Sequence, residues 1–206
     1  MATDIWPTIH AERDALLADL EGLKPDQWTT ATTCGHWNVH QVLGHLTSLA
    51  KMTPPKFMGK LAGSGFNFDS YVEQGVAAET AGALAATLAG LKAAKGGTNA
   101  PPGPKETWLG EHFVHGEDIR RALGIKREYP LDQVARTLVF YSGSEPIIHG
   151  KSRVAGLTLK ATDTDVTIGT GPLVEGPVMD LLIATSGRKA SLDNLSGPGV
   201  DTLRSR

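Results

Sequence analysis

Trp108-Leu109-Gly110-Glu111-His112-Phe113-Val114-His115-Gly116-Glu117-Asp118-Ile119-Arg120-Arg121 is the stretch on which the reading of this chain turns. At about 3.6 residues per turn, Trp108, Glu111, His112, His115, Ile119 and Leu123 fall on one helix face. The pattern predicts a helix from about Lys105 to Leu123, closed by Gly124 as C-cap. Glu111 and His115 are one turn apart and can converge on one point. A carboxylate buried without a partner is costly, and a divalent cation is one partner that removes the cost.

Three more helices precede this one. Residues 4–23 form an amphipathic pattern of Ile5, Ile9, Leu16, Leu20 and Leu23, with Glu12, Arg13 and Asp19 between them. Asn38 is a good N-cap, with Gln41 placed to close a capping box. The helix it opens carries Val39, Val42, Leu43, Leu46, Leu49 and Ala50 as its apolar stripe, and Pro54-Pro55 stops it. Gly59 to Phe68 reads as a loop. Val72 to Lys95 is alanine-rich with high helix propensity, ended by Gly96-Gly97 and Pro101-Pro102-Gly103-Pro104. Four such helices predict a bundle over residues 1–128.

Beyond Tyr129-Pro130 the texture changes. Leu131 to Tyr141 looks helical, Val154 to Ala161 alternates like a strand, and Thr162-Asp163-Thr164-Asp165 supplies a turn before Val166-Thr167-Ile168. Pro177 to Thr185 reads as an apolar helix and Pro198 to Arg206 as a short terminal one. The expectation is an α+β protein: a four-helix bundle followed by a small α/β domain over residues 129–206.

Composition narrows the function. The 206 residues carry 20 basic and 22 acidic side chains, spread evenly, which argues against nucleic acid or anionic lipid as the main partner. A single cysteine, Cys34, cannot form an internal disulfide and fits a reducing compartment. The start of the chain lacks the pattern of a signal peptide, and no stretch is apolar enough to span a membrane. The expected location is the cytoplasm. Gly150-Lys151-Ser152 has Glu145 where a phosphate loop requires glycine, and Gly169-Thr170-Gly171 runs into Pro172. No nucleophile elbow and no pair of closely spaced cysteines is present. Cys34 stands near a helix start but without an assigned base, and reads as a small packed thiol.

The histidines remain. His45 borders the apolar stripe of the second helix, whereas His40 falls opposite it. A carboxylate and imidazoles projecting inward from facing helices are how bundles build metal sites. Glu111 with His115 and one histidine across the bundle would make a His₂Glu set with open coordination positions. His112 with His115, three residues apart, is a competing pair. A polar cluster satisfied by hydrogen bonds is the alternative to any metal. His10, His36, His40 and His149 read as surface or cap residues.

The segment Thr33-Cys34-Gly35-His36-Trp37-Asn38-Val39-His40-Gln41-Val42-Leu43-Gly44-His45-Leu46 resembles a signature of the mycothiol-dependent maleylpyruvate isomerase family, whose bundle is DinB-like. The stretch from Trp108 to Arg121 is similar to its second signature. Gly187-Arg188-Lys189-Ala190-Ser191-Leu192-Asp193-Asn194-Leu195-Ser196-Gly197 resembles its sterol-carrier-like C-terminal module. The resemblance implies a divalent metal, usually Zn²⁺, held by His45, Glu111 and His115, and disfavours His112 and His40. It implies mycothiol as cosubstrate, activated as a metal-bound thiolate for cis–trans isomerisation of maleylpyruvate or for S-transfer to a small electrophile. Arginines suit a dicarboxylate substrate. Of Arg120, Arg121, Arg188 and Arg204, the motif favours Arg188 as a catalytic residue, and Arg120 and Arg204 read as solvated. Asp118 is expected either to orient a ligand or to pair with an arginine. The alternative function is a non-catalytic DinB-like module that binds a metal or small ligand.

Overall fold

Asn38 sets the frame of the helical part. Its side chain accepts from Gln41 N at 2.9 Å while Gln41 Oε1 accepts from Asn38 N at 3.0 Å, so two helix-end donors are satisfied reciprocally. The structure, a computed structural model, describes residues 4–145 and 147–206. They fall into two compact units, the first ending at Lys126 and the second running from Arg127 to Arg206.

The first unit contains α1 (Trp6–Leu20), α2 (Val39–Ala50), α3 (Pro54–Gly63), α4 (Phe68–Thr80), α5 (Leu84–Ala94) and α6 (Lys105–Leu123). Helix α2 lies at the centre, packed against α4, α5 and α6, and α1 packs against α6 and α5. Val39, Val42, Leu43 and Leu46 of α2 join Leu16, Leu20, Leu91 and Ile119 in the core. Helices α2 and α4 approach closely because glycines remove side chains at the crossing. A Cβ on Gly44 would lie 2.6 Å from Thr80 Cγ2, and one on Gly75 would lie 2.9 Å from Ser48 Oγ. Gly124 closes α6 in the left-handed conformation at φ 68°.

Two expectations are corrected here. Pro54 and Pro55 do not only stop α2: they occupy the first turn of α3, where a missing N–H costs nothing, so helix fills much of the predicted loop. The alanine-rich helix is two helices, interrupted at residues 81–83, and Thr87 of α5 donates its hydroxyl to Glu79 O at 2.7 Å across the break. Helices α4 and α5 together stand where the third helix of the bundle was expected.

The second unit has α7 (Leu131–Ser142), α8 (Gly150–Val154), β1 (Thr158–Ala161), β2 (Thr167–Gly169), β3 (Leu173–Gly176), α9 (Val178–Thr185) and α10 (Val200–Arg204). The sheet order is β2-β1-β3, antiparallel for β1–β2 with Leu159 opposite Ile168, and parallel for β1–β3 with Leu159 opposite Val174. Strand β3 was not anticipated. Every residue of α9 is buried, which suits a helix apolar nearly all round. Asp163, in the predicted turn, accepts from Val178 N at 2.8 Å and so caps α9. The whole is α+β.

Candidate metal centre

Helices α2 and α6 bring His45, Glu111 and His115 together. Glu111 Oε2 lies 2.9 Å from His45 Nε2 and 3.2 Å from His115 Nε2. One ligand atom from each residue falls within 4.8 Å of the others, the separation a single cation can span. Both imidazoles are more than nine-tenths buried. The ring of Trp37 packs on both, at 5.1 Å from His45 and 6.1 Å from His115. Its indole Nε1 donates to Glu73 Oε1 at 3.1 Å, which fixes the ring.

Asp118 stands behind His115. Its Oδ2 is 3.0 Å from His115 Nδ1, and its Oδ1 accepts from the Thr33 hydroxyl at 2.6 Å. Of the two partners expected for Asp118, these contacts bring it to His115. An Nδ1–H held by Asp118 leaves Nε2 as a lone-pair donor facing Glu111. Two lone-pair atoms at 3.2 Å repel unless a proton or a cation lies between them. The electrostatics of the metal-free protein agree. Burial alone would lower His115, but its hydrogen bonds with Asp118, Cys34 and Glu111 outweigh burial and raise it well above the usual range. Burial alone would raise Glu111, yet the bonds and charge of His115 and His45 hold its carboxyl well below its usual range.

Cys34 touches the same cluster. Its thiol bonds the His115 ring, and Cys34, His115 and Asp118 form a second group of donors within 4.8 Å. Cys34 is half-buried, as a packed thiol would be.

The competing histidine pair does not form a site. His112 Nδ1 is 2.7 Å from Trp108 O, and its Nε2 accepts from Arg13 Nε at 3.0 Å. Both ring nitrogens are therefore engaged. Burial, reinforced by the charge of Arg13, pushes His112 down to about 3. His40 is half-buried: its Nε2 bonds Thr87 Oγ1 at 2.9 Å and its ring meets Trp28 edge-on. His36 and His149 are exposed, each paired with a glutamate.

The arginines need one correction. Arg120 is fully buried rather than solvated, with Nε 2.7 Å from Asp19 Oδ2 and Nη1 3.4 Å from Glu12 Oε2. It ties α6 to α1. Arg121 pairs with Glu117 at 2.7 Å, and Arg204 pairs with Asp193 at the surface. Arg188 belongs to the second unit. It follows Gly187 at the end of α9, donates to Ser186 O at 3.2 Å, and lines a shallow depression there with Arg153, Lys189 and Arg206.

Sequence reasoning placed Arg13 only among the polar residues between apolar positions of α1. Its spacing held the signal: it lies one turn after Ile9 and one before Leu16, inside the buried stripe. Thr33 and Trp37 stand in the stretch that resembles the family signature, but the residues alone gave them no role, because their partners are distant in the chain.

Residues 9–100 match the family described as mycothiol maleylpyruvate isomerase N-terminal domain. The matched stretch contains His45, while Glu111 and His115 lie beyond its end. Among solved structures, the chain is similar to a mycothiol-dependent maleylpyruvate isomerase, at 12% identity and TM-score 0.59. It is also similar to a histidine-to-alanine variant of that enzyme, at 13% identity and TM-score 0.61. Each likeness covers 94% of this chain and 91% of the other. At such identities the structures speak for the fold. No curated protein sequence matches significantly. The N-terminal helical unit is thus similar, over residues 9–100, to the mycothiol maleylpyruvate isomerase N-terminal domain, and the solved structures share its fold.

Proposed function

We propose that the protein is a metal-dependent thiol enzyme, which holds one divalent cation through His45 Nε2, the Glu111 carboxylate and His115 Nε2. Zinc is the ion we favour, for two imidazoles and one carboxylate are a usual set for a catalytic zinc site with a position left open. The observation that carries the reading is the crowding of two imidazole Nε2 atoms on one carboxylate oxygen, at 2.9 and 3.2 Å. The donor set fits a dication: the Glu111 and Asp118 carboxylates carry two formal negative charges beside two imidazoles that are neutral as ligands.

The cosubstrate in this reading is a low-molecular-weight thiol of the mycothiol type, and the reaction is S-transfer to, or isomerisation of, a small electrophile. A cation at this centre supplies positive charge that favours the thiolate over the thiol at neutral pH. The chain's own residues do the rest. Asp118, held by Thr33, keeps His115 in the tautomer that points Nε2 inward. Trp37 covers both rings and keeps water from them. Arg13 and the Trp108 carbonyl hold His112 away from competition. For isomerisation, the thiolate sulfur adds to one alkene carbon and the electron pair moves onto the conjugated carbonyl. Rotation then occurs about the new single bond, and return of the pair expels the thiolate unchanged. For transfer, the C–S bond is kept. Arg188 is proposed to bind a substrate carboxylate. A reducing cytoplasm suits both the free Cys34 thiol and a thiol cosubstrate.

Metal analysis with a thiol-consumption assay tests the reading. Purified protein should carry one equivalent of divalent metal, and His45→Ala should lose it. Mycothiol should be consumed with a maleyl compound or a bimane electrophile, or should catalyse its isomerisation, only until a chelator is added. Full metal occupancy in His45→Ala, or turnover indifferent to chelation, overturns the proposal.

A further inference from the structure

Tyr71 of α4 is 5% exposed, yet among the described residues its hydroxyl has no hydrogen-bond partner. A buried phenol ordinarily finds one, because leaving that group unpaired out of water costs free energy. The ring itself is firmly held. Phe57 of α3 meets it edge-on at 5.1 Å, and Phe68 at the start of α4 packs on it at 5.8 Å. Helix α3 buries no residue of its own, but through Phe57 it fixes this ring. Nor is the hydroxyl sealed in, for a little of its surface still reaches solvent.

Three observations put the phenol beside the candidate centre. Gly75, one turn after Tyr71, packs against Ser48 of α2, three residues after His45, so Tyr71 lies on the side of α4 that faces α2. Glu73 accepts from the Trp37 indole that covers His45 and His115. Burial, and after it the charge of Glu111, push the Tyr71 phenol up, and a charge effect of that kind weakens with distance. Even at its ordinary pKa of about 10 the phenol keeps its proton at neutral pH and can donate. The Glu111 side chain is 22% exposed, so the centre is also within reach of solvent.

We propose that Tyr71 is a further catalytic residue, whose O–H donates a hydrogen bond to the carbonyl oxygen of a conjugated electrophile and stabilises the enolate formed when the thiolate adds. In that step the sulfur bonds to the alkene carbon and the π pair moves onto the carbonyl oxygen. The carboxylates of Glu111 and Asp118 would repel the new anion, and a fixed neutral donor offsets it. The phenol keeps its proton throughout. When the pair returns and the C–S bond breaks, the oxygen is a carbonyl again and the thiolate leaves unchanged. The substrate class that fits such a donor is an α,β-unsaturated carbonyl compound. The inference rests on the thiol chemistry proposed for the metal centre.

Tyr71→Phe tests it, since the variant keeps the ring between Phe57 and Phe68 and removes only the hydroxyl. Two electrophiles are compared with mycothiol as the thiol. A maleyl compound reacts through an enolate, whereas in bromobimane the thiolate displaces bromide from a saturated carbon and no enolate oxygen forms. Tyr71→Phe should lower kcat for the maleyl compound by about 100-fold or more, and change the bimane rate by less than about threefold. The KM for mycothiol and the metal content should stay the same. The denaturant midpoint of the metal-free variant should match that of the unaltered protein, because the hydroxyl is tied to nothing within it. Equal loss with both electrophiles, no loss with the maleyl compound, turnover of the bimane alone, or a lowered midpoint overturns the inference and leaves the metal-thiol reading in place. An unaltered protein that turns over neither electrophile, or does so indifferently to chelation, removes that reading and this inference with it.

Discussion

Arg120 and His115 lie little more than one turn apart on α6, both out of water and both facing carboxylates. Their surroundings differ in how the charges add. Arg120 brings one permanent cation to Glu12 and Asp19 on α1. His115 stands between Asp118 and Glu111, with His45 on the far side of Glu111, and these contacts join carboxylates to imidazoles. That cluster is completed only by protons or by a metal ion. Two buried polar groups on one helix thus separate into a strut and a site, and the criterion is whether the chain itself supplies the compensating charge.

The strut should give the largest effect on stability. Arg120→Met leaves Glu12 and Asp19 facing each other's charge beside an apolar side chain. Breaking such a buried pair costs about 3–5 kcal/mol, measurable as a shift of the denaturant midpoint. Metal content per folded chain should stay the same. A variant that loses metal while keeping its stability would reverse the two assignments.

The site should give the opposite pattern. Glu111→Gln removes the central anion and should weaken Zn²⁺ binding by more than about 100-fold, roughly 3 kcal/mol. Folding of the metal-free protein should weaken modestly, since His115 and His45 hold the Glu111 carboxyl well below its usual range and that favours the folded state at neutral pH. A competition titration with a chromophoric chelator, paired with a melt of the metal-free protein, measures both. Unchanged affinity would leave the cluster as a hydrogen-bonded one.

Much of this contrast could be read in the sequence, but unevenly. The face of α6 was legible because it is long and its period is regular, and His45 stood out by its place beside an apolar stripe. Helix α3 was hidden because it is short, none of its residues is buried, and its two prolines read as a stop. The break between α4 and α5 was masked by alanine, whose propensity favours helix on both sides and says nothing about tertiary contacts. Strand β3 has four residues between Pro172 and Pro177, too few for alternation to register. The partners that settle roles lie far off in the chain. Arg13 reaches His112 across 99 residues, and Thr33 reaches Asp118 across 85. Local pattern carries no trace of such pairs. Arg120 reads as solvated for the same reason, as Glu12 is 108 residues away.

Asp118→Asn sharpens the comparison at smaller scale. Asparagine keeps the shape and an acceptor for His115 Nδ1 but loses the charge, so His115 becomes a poorer donor. Loss of a carboxylate behind a metal-bound histidine typically costs 10–100-fold in affinity. Zinc binding should fall within that range, below the effect of Glu111→Gln. Thr33→Val, which removes the hydroxyl 2.6 Å from Asp118, should act in the same direction and more weakly. An effect of Asp118→Asn equal to that of Glu111→Gln would make Asp118 a direct ligand, drawn from the group it forms with Cys34 and His115.

Cys34 should give the smallest effect, and it bears on which sulfur does the chemistry. The thiol touches the His115 ring, so it stands near enough to the centre to be mistaken for a nucleophile. Its role in that contact is to share the ring with Asp118. A serine hydroxyl in the same place can make the same hydrogen bond, whereas it is a far poorer nucleophile and metal ligand. Cys34→Ser should therefore retain its metal, lose no more than about 0.5 kcal/mol of stability, and keep turnover within about threefold. Cys34→Ala removes the bond as well and should fall somewhat further, through a looser His115. That ordering, serine above alanine, belongs to a positioning residue. Abolished turnover in a folded, metal-loaded Cys34→Ser would instead place the reacting sulfur in the protein, and the external thiol would then be the group that regenerates it.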